Sequence, residues 1–206
     1  MGSSSSALSA TNYEAGGVSP ETLLAFLHTA LGLKRIPRTG WLLRGLVDVE
    51  SVAEHTWGVA LVVLALAPEV EEPLNREKAL IIALVHDLPE RSLSDIPSPA
   101  LVHLPPEAKR EAEEAAFSDI VQELPGGDRL RVWWREFEEG STPEGRLVQD
   151  ADRLEMLLQA YLYEESRGIR LDDFWANQAG RSFHFSVAQA VYEALVQARA
   201  ARHRER

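Results

Sequence analysis

The chain has 206 residues, 45% hydrophobic and 26% charged, a composition typical of an ordinary soluble globular protein with a sizeable core. Its formal net charge of -11 argues against a general nucleic-acid-binding surface, because such surfaces need clustered positive charge. It contains no cysteine, which excludes disulfides, cysteine-ligated zinc and thiol catalysis and fits a cytoplasmic protein. The longest apolar stretch, residues 59–67, is too short to span a bilayer, so we expect no membrane association.

The N-terminal segment, residues 1–17, differs in composition from the rest of the chain. It is rich in serine, alanine and glycine and lacks the basic region and long apolar core of a signal peptide. We therefore expect residues 1–17 to form a disordered tail. No linker or internal repeat divides residues 18–206, which we expect to form one domain.

Helix signals begin directly after this tail. Ser19 has the form of an N-cap, with a proline and a glutamate next to it, and predicts a helix that ends before Gly32. The basic segment that follows, residues 34–41, is predicted to be an irregular connection.

Two apolar helices are predicted next, and both carry ionisable residues. Residues 51–54 (SVAE) have the form of a capping box, opening a helix that ends near residue 67 and carries His55 in its first turns. Because this helix is apolar on nearly all sides, it should be central in the fold. Asn75 is predicted to cap the second helix, which ends in the pair His86 and Asp87.

The remainder of the chain is also predicted to be helical. Residues 95–99 form a proline-punctuated loop with no regular structure of their own. Strand signals are almost absent, so the predicted fold class is all-α. The helices predicted after the loop are 106–124, 128–139, 143–166, 171–180 and 186–201.

The stretch 79–90 carries the strongest chemical signal in the sequence. An apolar run, residues 79–85, is followed by His86, Asp87 and then Glu90. Burying ionisable groups costs free energy unless they are compensated, and a bound cation gives imidazole and carboxylate a common partner. Adjacent residues on a helix point about 100° apart, so the pair can share a metal only near a helix end, which Pro89 supplies. We therefore predict that His86 and Asp87 ligate a metal and that Glu90 acts beside it.

The other ligand candidates are weaker when each is considered alone. His55 would then be a hydrogen-bonded packing residue, and Asp152 would be a solvated helix position. Asp150 and Glu155, close to Asp152 in the chain, are expected to be solvated. Two imidazoles and two carboxylates together would suit Mn, Fe, Co, Ni or Zn without selecting one of them.

The ordered set of His55, His86-Asp87 and Asp152 resembles the signature of the HD-domain metal-dependent phosphohydrolases. The resemblance is closest to their 5′-deoxynucleotidase subgroup and extends from about residue 23 to residue 193. It implies an all-α HD-domain bundle, a homodimer, and hydrolysis of deoxynucleoside 5′-monophosphates with one divalent metal ion (Mn, Co, Mg, Fe, Ni or Zn). The segments that carry the resemblance are 33–41 (LKRIPRTGW), 50–55 (ESVAEH), 83–90 (ALVHDLPE) and 149–152 (QDAD).

The resemblance also implies a role for individual residues. The catalytic group would comprise Glu90, Asp95 and Arg38, with Arg38 orienting the phosphate. The metal ligands would be His55, His86, Asp87 and Asp152. The substrate contacts would be Arg38, Trp41, Asp87, Asp95, Ile96, Pro97, Ser98 and Asp152.

One departure from the family pattern concerns Trp41. In the bacterial members the arginine and the tryptophan are adjacent, whereas here Thr39 and Gly40 separate Arg38 from Trp41, as in the eukaryotic-like branch. Packing is therefore the alternative role for Trp41.

Two further functions remain open at this point. The same site would suit a phosphodiester or a (p)ppGpp-like substrate, and a helical interaction protein with a structural metal belongs to another class altogether. The presence of Glu90, Arg38 and Asp95 beside the ligands argues against the structural reading, because a structural metal needs none of them. A local arginine and a metal would also explain how a protein of net charge -11 binds an anion.

Overall fold

The computed structural model describes residues 17–204, so residues 1–16 of the predicted tail lie outside the described part. Within residues 17–204 the regular structure is helical and no β-strand is present, which confirms the predicted all-α class. The helices are α1 (Pro20–Leu31), α2 (Thr39–Leu42), α3 (Val52–Leu66), α4 (Arg76–Val85), α5 (Glu90–Leu93), α6 (Ser98–Leu101), α7 (Pro106–Val121), α8 (Gly127–Glu139), α9 (Pro143–Arg167), α10 (Asp172–Gln178) and α11 (Ser186–Arg204).

The predicted helix caps are confirmed. The Ser19 hydroxyl accepts a hydrogen bond from the backbone N–H of Thr22 at the start of α1. The Ser51 hydroxyl accepts from the N–H of Glu54, whose carboxylate in turn accepts from the Ser51 N–H. These contacts satisfy backbone donors that have no partner within their own helix. They fix where α1 and α3 begin.

Helices α3, α4 and α9 pack together at the centre of the bundle. The fully buried side chains of Val59, Val63, Ile82 and Leu154 belong to one core cluster shared by these helices. Judged by length and composition alone, the 18-residue window Val52–Glu69 is long and apolar enough to cross a membrane. Its packing against two other helices is that of the core helix predicted from its composition.

Two segments are more regular than the sequence predicts. The connection at 34–41 includes a 3₁₀ helix, Gly32–Arg35, and the start of α2. The chain must turn tightly there because Leu33 and Trp41 are both buried. The loop at 95–99 also gives way to α6 at Ser98, because a proline in the first turn of a helix removes no hydrogen bond.

The expectation that Asp150 is solvated is wrong. Its side chain is fully buried, and its oxygens accept hydrogen bonds from the backbone N–H groups of His184 and Phe185, each at 3.0 Å. Arg153 donates a further hydrogen bond to it at 3.0 Å. The segment before α11 crosses α9 at this point, and its backbone donors need an acceptor once they leave water.

Asp150→Ala should lower the free energy of unfolding by about 3 kcal/mol, because it leaves several buried donors without a charged acceptor. Asp128→Ala is the matched control, since Asp128 is 90% exposed and pairs with Arg131 on its own helix. That variant should lie close to the wild type. Denaturant unfolding measures both, and equal stabilities for the two variants would contradict the role of Asp150.

Candidate metal centre

Four predicted ligands converge from the three central helices. His55 lies on α3, Asp152 on α9, and His86 and Asp87 directly follow α4. The His55 Nε2 atom is 3.1 Å from the Asp152 Oδ1 atom and 3.6 Å from the Asp87 Oδ2 atom. The His86 Nε2 atom is 3.4 Å from the same Asp87 oxygen. The structure therefore brings together two imidazole nitrogens and two carboxylates.

The end of α4 allows two adjacent residues to face one point. Regular helix ends at Val85, and residues 86–89 form a turn before α5 begins. The indole N–H of Trp134 donates a hydrogen bond to the backbone oxygen of His86 at 2.9 Å, which holds this turn against α8. The turn directs the side chains of His86 and Asp87 to the same place.

Both histidines are oriented by acceptors on the far side of their rings. The His55 Nδ1 atom is 2.6 Å from a carboxylate oxygen of Glu155, and the His86 Nδ1 atom is 2.8 Å from the backbone oxygen of Ala83. Since both partners are acceptors, each Nδ1 carries a proton, and in the neutral ring each Nε2 keeps a lone pair that can bind a metal. This is the usual arrangement of a metal-ligating histidine.

Three buried atoms at the centre have no hydrogen-bond partner among the described residues. They are Nε2 of His55, Nε2 of His86 and Oδ2 of Asp87. Three unsatisfied acceptors facing one point are costly to bury, and a divalent cation satisfies all three. The residues present therefore fit a site for one divalent metal ion. The ligand atoms of His55, His86 and Asp152 all lie within 4.8 Å of one another.

The electrostatics of the site favour positive charge at this point. Burial and the neighbouring charge of Arg38 oppose protonation of His55, but the adjacent carboxylates of Asp152 and Glu155 prevail and raise its pKa to about 10, so a proton takes the place at Nε2 that a metal ion would take. Burial alone would raise the pKa of Asp152, yet the close approach of His55 and the surrounding positive charges hold it well below its usual range. The protein thus supplies the negative potential that a metal cation requires.

Glu155 is a candidate site residue that the sequence did not reveal, and the expectation that it is solvated is wrong. It is buried against His55 and follows Asp152 by three positions, so both face the same side of α9. Gly58 makes room for it, because a Cβ at position 58 would lie 2.6 Å from a Glu155 carboxylate oxygen. Gly58 follows His55 by three positions, just as Glu155 follows Asp152. This matched spacing is the sequence feature from which a contact between Glu155 and His55 could have been predicted.

Arg38 places a permanent positive charge beside the ligands. Its Nη1 atom lies 3.6 Å from Asp87 and 3.7 Å from Asp95, beyond ordinary hydrogen-bond distance of both. Burial would favour the neutral form, but the charges of Asp87 and Asp95 raise the pKa of Arg38 above its ordinary value. The guanidinium therefore stays charged and keeps donors available for an anion.

The loop after α5 is tied to the turn that carries Arg38. The Asp95 carboxylate accepts a hydrogen bond from the backbone N–H of Thr39, and the Thr39 hydroxyl donates to the Asp95 backbone oxygen at 2.9 Å. Ser94 precedes them with φ 61° and ψ 167°, a backbone conformation found mainly for glycine. This sharp bend turns Asp95 toward the cavity.

Glu90 lies beside the ligands with one oxygen free. Its Oε2 atom is buried and has no hydrogen-bond partner among residues 17–204. Burial and the charge of Asp87 raise the pKa of Glu90 to about 9, despite the opposing charge of Arg38.

One cavity of about 240 Å³ is lined by the predicted site residues other than the two histidines. The walls also include Lys109, Glu113, Met156 and Phe174, which the sequence analysis did not select. None of these four lies in a segment that carries the family resemblance, so only the packing of their helices identifies them. The predicted residues in the walls are Arg38, Trp41, Asp87, Glu90, Asp95, Ile96, Pro97, Ser98 and Asp152.

Trp41 is mainly a packing residue in this structure. It is 1% exposed, stacks on Phe174 with ring centroids 4.2 Å apart, and meets the edge of Tyr163 at 5.3 Å. Its indole N–H donates to a carboxylate oxygen of Glu50 at 2.8 Å. Its contact with a substrate stays a prediction.

Comparison with known proteins agrees with this site. The HD domain family model matches residues 31–194, most of the chain. The chain belongs to the HD domain family. The 5′-deoxynucleotidase HDDC2 of Mus musculus is 38% identical over 175 residues, covering 83% of this chain and 85% of the relative. The Homo sapiens 5′-deoxynucleotidase HDDC2 is 37% identical over 181 residues, covering 86% of each.

A solved structure shows the same architecture. A conserved hypothetical protein from Pyrococcus furiosus superposes with a TM-score of 0.72 at 36% identity, covering 86% of this chain and 99% of that chain. The helical frame that holds the candidate ligands is therefore shared with this Pyrococcus furiosus protein.

Glu155→Gln should weaken divalent metal binding about 10-fold or more, because it weakens the hydrogen bond that orients His55. Glu165→Gln on the same helix is the matched control, since Glu165 is half-exposed and pairs with Arg202. Isothermal titration of metal-stripped protein with Mn²⁺ measures both affinities. A Glu155→Gln affinity equal to that of the control would remove Glu155 from the site.

Proposed function

We propose that this protein is a metal-dependent 5′-deoxynucleotidase, a phosphoric monoester hydrolase that converts deoxynucleoside 5′-monophosphates into deoxynucleosides and phosphate. The observation that carries this proposal is the presence of Arg38 and Glu90 in one cavity with Asp87 and Asp152, two of the four proposed metal ligands. A purely structural metal would need neither group. The names of the mouse and human relatives support the same substrate class.

The metal would be held by His55, His86, Asp87 and Asp152. When bound, it supplies Lewis-acid polarisation of the phosphate and a lowered pKa for a coordinated water. The protein holds the two imidazoles in the required tautomer through Glu155 and Ala83, so little reorganisation is needed.

Arg38 binds and orients the phosphate in this proposal. Its guanidinium faces the cavity with two carboxylates nearby but none within hydrogen-bond distance. Two parallel N–H groups can therefore engage two phosphate oxygens and offset the charge that develops on them.

Glu90 accepts the proton of the attacking water in this proposal. Burial and the charge of Asp87 raise its pKa to about 9, and a cation held by the ligands would offset both effects and favour the ionised carboxylate. The Oε2 atom of Glu90 is free to accept, whereas one carboxylate oxygen of Asp95 already accepts a hydrogen bond from the Thr39 N–H. Asp95 acts as a positioning residue that fixes the loop 95–98 against the turn that carries Arg38. The uncommitted Oε2 atom supports the assignment of proton transfer to Glu90.

We also propose that the protein is a homodimer and is cytoplasmic. The homodimer follows from the family resemblance, and the exposed leucines Leu24, Leu27 and Leu31 on α1 are consistent with a surface that another chain covers. The absence of cysteine is consistent with a reducing compartment. Size-exclusion chromatography with light scattering tests the dimer.

Phosphate release from the four deoxynucleoside 5′-monophosphates and their ribose counterparts tests the activity. The protein should be inactive after chelation and should regain activity when one of Mn, Co, Mg or Zn is added back. Release that favours the deoxy series supports the proposal. No release from either series with any metal would contradict it, and phosphodiesters and (p)ppGpp would then be tested.

Glu90→Gln should lower kcat by about 100-fold or more, because the amide no longer accepts the proton of the attacking water. KM and Mn²⁺ affinity should stay close to wild type, since Glu90 is neither a ligand nor a phosphate contact in the proposal. Glu111→Gln, at an exposed position on α7, is the control and should change nothing. Unchanged kcat in Glu90→Gln would exclude Glu90 from the chemistry.

A further inference from the structure

The substrate cavity contains a second polar group that the proposed chemistry does not use. Lys109 and Glu113 lie one turn apart on α7, form an ion pair, and both line the cavity that holds Asp87, Arg38 and Asp152. Pairs at this spacing are common on solvent-facing helices, where they serve only the helix itself. This pair differs because it faces the site.

Glu113 retains an unused acceptor. Its Oε1 atom pairs with Lys109, whereas its Oε2 atom is buried and has no hydrogen-bond partner among the described residues. An ionised oxygen removed from water without a donor is costly, so such an atom in a cavity is ready to accept a hydrogen bond. An ionised Glu138 has no proton to donate to it; burial and the charge of Glu113 raise the pKa of Glu138 to about 7, and no hydrogen bond joins the two carboxyl groups among the described residues.

The position of this acceptor determines which part of a substrate it can meet. The phosphate belongs with the guanidinium of Arg38 and the cation that the ligands would hold. A carboxylate repels phosphate, and the charge of Lys109 is already matched by that of Glu113. The α7 wall is therefore suited to the uncharged part of the substrate, the nucleoside, whose donors are the 3′-hydroxyl and the base N–H groups.

We infer that Glu113, fixed by Lys109, accepts a hydrogen bond from an O–H or N–H donor of the nucleoside and so contributes to substrate specificity. This inference rests on the proposed nucleotidase function and adds a binding contact on α7 to it. Sites that hydrogen-bond a substrate group discriminate against analogues that lack it, because their own buried polar atom is then left unpaired.

Glu113→Met tests the inference by removing both oxygens while keeping an unbranched side chain. Glu114→Met is the matched control, since Glu114 is the next residue on α7, pairs with Arg135 at the surface and does not line the cavity. Thermal unfolding of both variants verifies that they fold. Glu113→Gln, which keeps the shape and one weaker acceptor, provides the second variant and should show a smaller loss.

The substrates are a deoxynucleoside 5′-monophosphate, its 2′,3′-dideoxy analogue and 2-deoxyribose 5-phosphate. Glu113→Met should lower kcat/KM for the full nucleotide about 10-fold or more relative to Glu114→Met, as expected for a lost charged hydrogen bond. The loss should disappear for the dideoxy analogue if the donor is the 3′-hydroxyl, and for the abasic sugar phosphate if it is the base.

Two results would overturn the inference. One is a Glu113→Met variant equal to the control on the full nucleotide, and the other is an equal loss on all three substrates. If the wild type releases phosphate but either result is found, only the Glu113 contact fails. If the wild type releases no phosphate from any deoxynucleotide, the proposed function itself fails and the inference fails with it.

Discussion

The structure depends on one constraint, which is that ionisable groups are buried where α4 ends. Two histidine nitrogens and one aspartate oxygen point to a common centre with no partner from residues 17–204. A packed helical core would not retain three such atoms without compensation, and a divalent cation compensates all of them. The three central helices are arranged so that His55, His86 and Asp152 meet at this centre.

The surrounding residues orient the ligands and add the groups that an anionic substrate would need. The carboxylate of Glu155, admitted by Gly58, and the backbone oxygen of Ala83 fix the tautomers of the two histidines. Arg38 and Glu90 then add a permanent positive charge and a free carboxylate oxygen within the same cavity. In the proposed function, binding an anion and moving a proton fall to groups that do not hold the metal.

The sequence alone predicted the site residues and helix ends that interrupt an apolar or helical pattern. His86 and Asp87 end an apolar run, and caps such as Ser51 mark where helices begin. It was insufficient for Glu155 and Glu113, because a carboxylate on a helix of mixed polarity has the same local sequence whether it faces solvent or a neighbour. Only the packing of α9 on α3 buries Glu155, and only the position of α7 places Glu113 in the cavity.

Anomalous X-ray scattering from crystals of the cobalt-loaded protein tests the metal centre directly. We predict one strong peak bounded by the Nε2 atoms of His55 and His86 and by the carboxylates of Asp87 and Asp152. A peak elsewhere, or no peak in protein that is folded and saturated with the metal, would show that these buried groups do not form a metal centre.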